Sequence, residues 1–161
     1  MSMNAHQLRG SIESVLKDAE AFIELPIATP EAVELLMLIA AQESHLGTYL
    51  HQINGPAKGI FQIEPRTAED IIRWAKGRPM FLKALEAAQS NKGLESDLAY
   101  NLVFQILMAR FLLWRQPEPL PGREDVQGLA QYWKKYHNTY LGAGTVSEAV
   151  RSYKRLVKQE A

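Results

Sequence analysis

Glu43 is the residue of this chain best placed by type and neighbours to do chemistry. It follows the apolar run Leu35-Leu36-Met37-Leu38-Ile39-Ala40-Ala41-Gln42 and is followed by Ser44. Leu36, Ile39 and Ala40 stand seven, four and three residues before it, so a helix of ordinary pitch stacks all four on one face and aims the carboxylate with the core. Desolvation there and the negative end of the helix dipole both favour the neutral carboxyl, the form a general acid needs. Against this stands a plainer reading, that glutamates at helix ends are commonly solvated and inert.

Other chemistries find less support. There is no cysteine, which excludes disulfides, thiolate nucleophiles and cysteine-ligated metal. The four histidines, His6, His45, His51 and His137, form no zinc-binding pattern, and neither a metal nor a cofactor is expected. Arg151, Lys154, Arg155 and Lys158 recur at helical spacing near the end, either to meet an anionic polymer or as a solvated face complementing a helix terminus.

The elements that must position Glu43 follow from local signals. Thr29 as N-cap, Pro30 as first helical residue and Gly47 as stop place Glu43 in the last turn of a helix. Leu8, Ile12, Val15, Ala19 and Phe22 mark an amphipathic first helix ending near Pro26. After a turn-rich run from Asn54 to Gly59, Ile60-Phe61-Gln62-Ile63 suits a small hairpin or an extended loop. Pro65 and Pro79 open two further helices. The longest helical pattern runs from about Glu95 to Arg115, apolar on most sides and therefore expected at the centre. Beyond the stiff loop of Pro117, Pro119, Pro121 and Gly122, a helix carries Val126, Leu129, Ala130, Trp133 and Tyr136, and Thr145 with Glu148 makes a capping box for the last one. The expected fold class is mainly α, a single domain over residues 1–161 with one hairpin-sized exception.

Composition agrees with a globular chain. It has 161 residues, enough to bury roughly 70% of the unfolded surface in one core. Eighteen basic and eighteen acidic residues cancel, so no overall field steers the protein to nucleic acid or an anionic membrane. The start, Met1 to Arg9, has no apolar signal-peptide core, and no stretch is long and apolar enough to span a bilayer; synthesis in the cytoplasm without membrane insertion is expected.

Glu43-Ser44, followed by Gly55-Pro56-Ala57-Lys58-Gly59-Ile60-Phe61-Gln62-Ile63-Glu64-Pro65-Arg66-Thr67-Ala68, resembles the soluble lytic transglycosylases and goose-type lysozymes, which cleave the glycan strands of peptidoglycan. Their first motif is a Glu-Ser at a helix end; their second is Gly-x-x-Gln followed shortly by Pro-x-Thr-Ala, matched by Gly59, Gln62, Pro65, Thr67 and Ala68. The close match covers about Ala40 to Asp70. His45-Leu46-Gly47 stands where many members have an aromatic and a proline. The family's third motif, Ala-Tyr-Asn, occurs literally as Ala99-Tyr100-Asn101, but too early in the chain; Leu129-Ala130-Gln131-Tyr132 fits its place better, with Trp133 where the family has Asn. The segment Tyr132 to Thr145 is similar to ones in phage-encoded, virion-associated members, which implies other virion proteins as partners and delivery to the wall from outside.

The resemblance implies a lysozyme-like fold and a lytic transglycosylase. Glu43 would protonate the glycosidic oxygen between N-acetylmuramic acid and N-acetylglucosamine, then act as base toward the muramoyl C6 hydroxyl, leaving 1,6-anhydromuramoyl ends. Tyr132 is the expected catalytic tyrosine that orients Glu43, with Tyr100 and Tyr136 as alternatives. Ser44, Gly59, Gln62 and Asn138 are the expected substrate-binding residues, Asn138 replacing the missing asparagine. Ser44 has a second reading, a bond to a carbonyl one turn back. Muramidase-type hydrolysis needs a second carboxylate roughly 5 to 9.5 Å away, for which Glu64, Glu69, Asp70 and Asp97 are available without a recognisable motif. A non-enzymatic virion or structural protein that keeps the fold is the reading from a different class.

Overall fold

The computed structural model describes residues 2–138 and 142–159. Among these the regular structure is helical: α1 (Ala5–Ile23), α2 (Pro30–Ser44), α3 (Pro65–Ala75), α4 (Pro79–Ala88), α5 (Leu94–Tyr100), α6 (Leu102–Trp114), α7 (Val126–Trp133) and α8 (Val146–Leu156). A π-helical turn, Lys134–Asn138, continues α7 directly. The mainly α class holds.

Helix α2 starts as its sequence dictates, with the Thr29 hydroxyl accepting the Ala32 N–H at 3.2 Å and Pro30 in the first turn. Every residue from Ala32 to Ala41 is buried, because α1, α6, α7 and α8 all pack on it. Beyond Ala41 the helix emerges, at half-buried Gln42 and Glu43. It ends earlier than the Gly47 stop suggested: His45, Leu46 and Gly47 all have left-handed φ values, 49°, 55° and 85°. The Leu46 N–H returns to the Ala40 carbonyl at 3.0 Å, which ties off the C-terminus.

Two expectations shift. On α1 the buried stripe is Leu8, Ile12, Leu16, Ala19 and Ile23, so Phe22 is turned outward and 43% exposed. The single long helix from Glu95 to Arg115 is instead two, meeting at 96°. The break is Asn101, whose Oδ1 accepts the Phe104 N–H at 3.1 Å while its Nδ2 donates to the Ala88 carbonyl at 2.7 Å and to Asp97 Oδ1 at 3.1 Å. A side chain that caps one helix and pins the end of another outweighs the apolar continuity on either side. Beyond it, α6 is buried continuously from Phe104 to Leu113 and shares the centre of the molecule with α2.

The Ile60–Ile63 piece is no strand. It is a tight turn closed by isolated antiparallel bridges, His51 with Lys58 and Lys58 with Ile63. Gly59 (φ 82°) and Gln62 (φ 48°) supply its left-handed corners. The turn is fastened to the core through one peptide group after another. The Ile60 N–H donates to Oε1 of buried Gln105 on α6 at 2.8 Å, and the Ile60 carbonyl accepts from the Ser44 hydroxyl at 2.7 Å.

A partly buried ion pair stitches three helices outside this region. Arg9 of α1 reaches both Glu34 oxygens on α2, at 2.8 and 3.2 Å, and the Tyr153 hydroxyl of α8 donates to the same carboxylate. Burial opposes ionisation of Glu34, but the hydrogen bonds from Arg9 and Tyr153 outweigh it and hold the carboxyl below the usual range. Burial and the Glu34 hydrogen bond push the Tyr153 hydroxyl up.

Candidate active site

Glu43 opens into a cleft of about 480 Å³. One wall is the end of α2, with Gln42 beside Glu43; another runs through Gln52, Ala57, Gln62, Ile63, Glu64 and Thr67; Leu112 of α6 lies between, and His137, Asn138, Gly142, Ala143 and Gly144 close the far side. Glutamine, asparagine, threonine and two carboxylates dominate it, without a lysine or arginine among the described lining residues. Such a surface fits an uncharged polymer rich in hydroxyls and amides better than a polyanion.

The Glu43 carboxylate is held by tryptophan, not tyrosine. Trp133 Nε1 donates to Glu43 Oε1 at 2.9 Å from a side chain that is itself fully buried. An indole N–H can only donate, so Oε1 is committed as an acceptor. When Glu43 is protonated, its proton therefore rides on Oε2, and the acid has a fixed orientation. Gly144 packs on the same indole: a Cβ there would lie 2.7 Å from its Cη2 atom.

Tyr132 does not do what the resemblance implied. Its hydroxyl donates to the Glu118 carbonyl at 2.9 Å, and its side chain borders a separate cavity beside Pro117 and Pro119. The reason is helical geometry: neighbours on a helix point about 100° apart, so α7 can aim Tyr132 or Trp133 at α2 but not both. Burial and the neighbouring Tyr136 push the Tyr132 hydroxyl up to about 12. The two alternatives are also elsewhere. Tyr136 stacks on Tyr132 with ring centres 4.6 Å apart, and Tyr100, 66% exposed, bonds His51 Nε2 at 2.7 Å.

Two expected substrate-binding residues turn out to be structural. Ser44 is fully buried, with its hydroxyl on the Ile60 and Ala40 carbonyls and accepting the Gly47 N–H at 2.9 Å. Buried Gly59 lies behind the cleft wall, where a Cβ would come 2.1 Å from the Leu98 carbonyl oxygen and 2.4 Å from Gln105 Oε1. Its lack of a side chain serves close packing rather than ligand contact.

Gln62 and Asn138 do line the cleft. Gln62 Nε2 is used on the Gly59 carbonyl at 2.8 Å, which leaves its amide oxygen without a protein partner among the described residues. Asn138 Oδ1 accepts from Lys134 Nζ at 2.7 Å, and the same ammonium reaches the carbonyls of Gly142 and Gly144 at 3.0 and 2.7 Å. Lys134 thus fixes the far wall. Of the other carboxylates, Asp97 is buried among Ser90 and Asn101, and Asp70 pairs with Arg73 and Arg115. Glu69 is exposed and outside the cleft lining. Glu64 shares the cleft with Glu43 and makes no capping bond to α3.

His137 joins the site without having been expected there. Its Nε2 lies 2.7 Å from the Phe61 carbonyl, which can only accept, so Nε2 carries the hydrogen. Other atoms of the residue line the cleft, while Nδ1 is buried without a partner among the described residues. By sequence this histidine bears only on metal binding, for which it has no partner at ligand spacing. Among the described residues no three His, Asp or Glu side chains stand together as a metal site. No family model, curated protein or solved structure matches the chain.

Proposed function

We propose that the protein is a lysozyme-like lytic transglycosylase that cleaves peptidoglycan glycan strands between N-acetylmuramic acid and N-acetylglucosamine. The observation that carries this reading is the Glu43 carboxylate, oriented by a buried indole N–H at the head of an amide-lined cleft that has no lysine or arginine among its described lining residues. Glu43 Oε2 gives its proton to the glycosidic oxygen as the bond breaks toward an oxocarbenium-like state. The carboxylate left behind takes the proton of the muramoyl C6 hydroxyl, and the ring closes without water. Trp133 keeps donating to Oε1 throughout, so it stabilises the carboxylate that forms. Gln62 and Asn138 meet the sugar hydroxyls and acetamido groups. The resemblance of the segment from Tyr132 to Thr145 to virion-associated relatives supports a place in a phage particle, among other virion proteins.

Glu64 favours a second reading. A carboxylate in the same cleft, not used for capping, is where a hydrolase would keep the base that activates water. Digestion of purified peptidoglycan by wild type, by Glu43→Gln and by Glu64→Gln, with mass analysis of the products, separates the cases. Anhydromuramoyl ends lost in Glu43→Gln support transglycosylation. Reducing ends that depend on both Glu43 and Glu64 mean hydrolysis, and an absence of products from wild type means a non-enzymatic protein.

A further inference from the structure

Gln42 is a partition as well as a cleft residue. Its side chain also borders a neighbouring cavity of about 560 Å³, whose other wall is the face of α8 carrying Glu148, Arg151, Ser152, Lys154 and Arg155. The partition is fixed, because the Ser152 hydroxyl donates to Gln42 Oε1 at 2.9 Å. Three cations and one carboxylate line this cavity, whereas the Glu43 cleft beside it has no lysine or arginine among its described lining residues.

Those cations are uncommitted. Arg9, Arg73, Arg115 and Lys135 each pair with an acid, Lys134 is used on three oxygens, and Lys158 lies over the Tyr153 ring. Among the described residues no carboxylate comes within 4.0 Å of Arg151, Lys154 or Arg155. Two guanidinium forks one turn apart, with an ammonium between, match carboxylate groups. The patch is confined to one cavity on a chain of zero net charge, which argues against an extended polyanion track.

We infer that this cavity binds the carboxylates of the peptide branches borne by the glycan, an inference that rests on the reading of the Glu43 cleft as a peptidoglycan site. A branch is attached to the muramoyl residue itself, so a strand seated in the cleft delivers its carboxylates next to the bond to be cleaved. The cavity then sets the preference for peptide-bearing over bare strands.

Direct binding tests this without requiring turnover. Wild type and the double variant Arg151→Gln/Arg155→Gln, changed at two exposed positions where glutamine keeps helix propensity, are titrated with three polymers. These are peptide-bearing strands, strands stripped of peptide by an amidase and then amidated at the lactyl carboxyl that this exposes, and peptide-bearing strands whose carboxyls have been amidated. The double variant should bind the first about tenfold more weakly than wild type, as two solvent-accessible charge pairs allow, and match wild type on the other two. Equal loss on all three polymers, no loss on any, or no binding by wild type overturns the inference. Cleavage products measured on the same samples report separately on the catalytic reading: binding of the expected pattern without products sinks transglycosylation and leaves the cavity standing.

Discussion

Replacing Trp133 removes the donor that orients Glu43, and the size of the effect can be worked from the contact. The indole N–H sits 2.9 Å from Oε1, and a hydrogen bond to a charged acceptor contributes about 1.5 to 3 kcal/mol. The carboxylate is most charged after it has given up its proton, so most of this contribution belongs to the transition state rather than to bound substrate. Trp133→Phe should therefore lower kcat by about thirtyfold, corresponding to about 2 kcal/mol, with KM nearly unchanged. Trp133 is fully buried, and the smaller ring also leaves a void costing about 1 to 3 kcal/mol of stability. Incorporating benzothienylalanine at the same position separates the two effects, since sulfur keeps the shape and removes the donor. Its activity loss should match that of Trp133→Phe while its melting temperature stays near wild type. Tyr132→Phe serves as the contrast: the hydroxyl it removes is on the Glu118 carbonyl, so turnover should stay within about twofold of wild type. The reasoning fails if the sulfur analogue turns over peptidoglycan normally, or if Tyr132→Phe loses as much activity as Trp133→Phe without unfolding.

Ser44→Ala strands the buried Ile60 carbonyl and should cost about 1 to 3 kcal/mol, seen as a fall in melting temperature of roughly 2 to 12 °C. Because Ser44 does not face the cleft, activity of the folded fraction at 25 °C should be retained. The folded Glu34 carboxyl lies below its ordinary value of 4.5, so its contribution to stability is whole above that pH and is lost as pH falls through the lowered folded value. Thermal melts should show stability dropping in acid. Glu34→Gln should flatten that part of the profile and cost about 3 kcal/mol at neutral pH by leaving Arg9 without its partner. His137→Phe removes the Nε2 donor from the buried Phe61 carbonyl and should cost about 1 to 3 kcal/mol of stability, read in a denaturant melt; an unchanged midpoint would mean that the bond contributes nothing.

What could be read from the sequence was what is encoded locally. Thr29 and Pro30 announce the start of α2 through side-chain and φ preferences that need no tertiary partner, and so place Glu43 in its last turn. Periodicity does not show the break at Asn101, because the apolar run continues across it and two of its partners, Ala88 and Asp97, belong to other turns of the fold. Helices α2 and α6 are buried nearly all round, so their sequences carry little periodicity from which a facing side chain could be chosen. The Trp133–Glu43 contact spans 90 residues, a separation across which no local preference of the sequence acts.

The turn between Lys58 and Ile63 ties Gly59 and Gln62 to Glu43-Ser44. Its successive peptide groups are each held by a different element: the Ile60 N–H by Gln105 of α6, the Ile60 carbonyl by Ser44 of α2, and the Phe61 carbonyl by His137 of the π-helical turn. Buried Ile60 and Phe61 can approach these partners only because Gly59 brings the backbone against Leu98 and Gln105 without a side chain. Gln62, at φ 48°, then turns the chain back toward the cleft and donates to the Gly59 carbonyl, which closes the loop on itself. Ser44 is adjacent in sequence to Glu43, so the bond that positions this turn also positions the end of the helix carrying the acid. Of the polar side chains in Glu43-Ser44 and Gly59-x-x-Gln62, Ser44 and Gln62 thus act on backbone, and Glu43 is left as the one with an oxygen to spare for a proton.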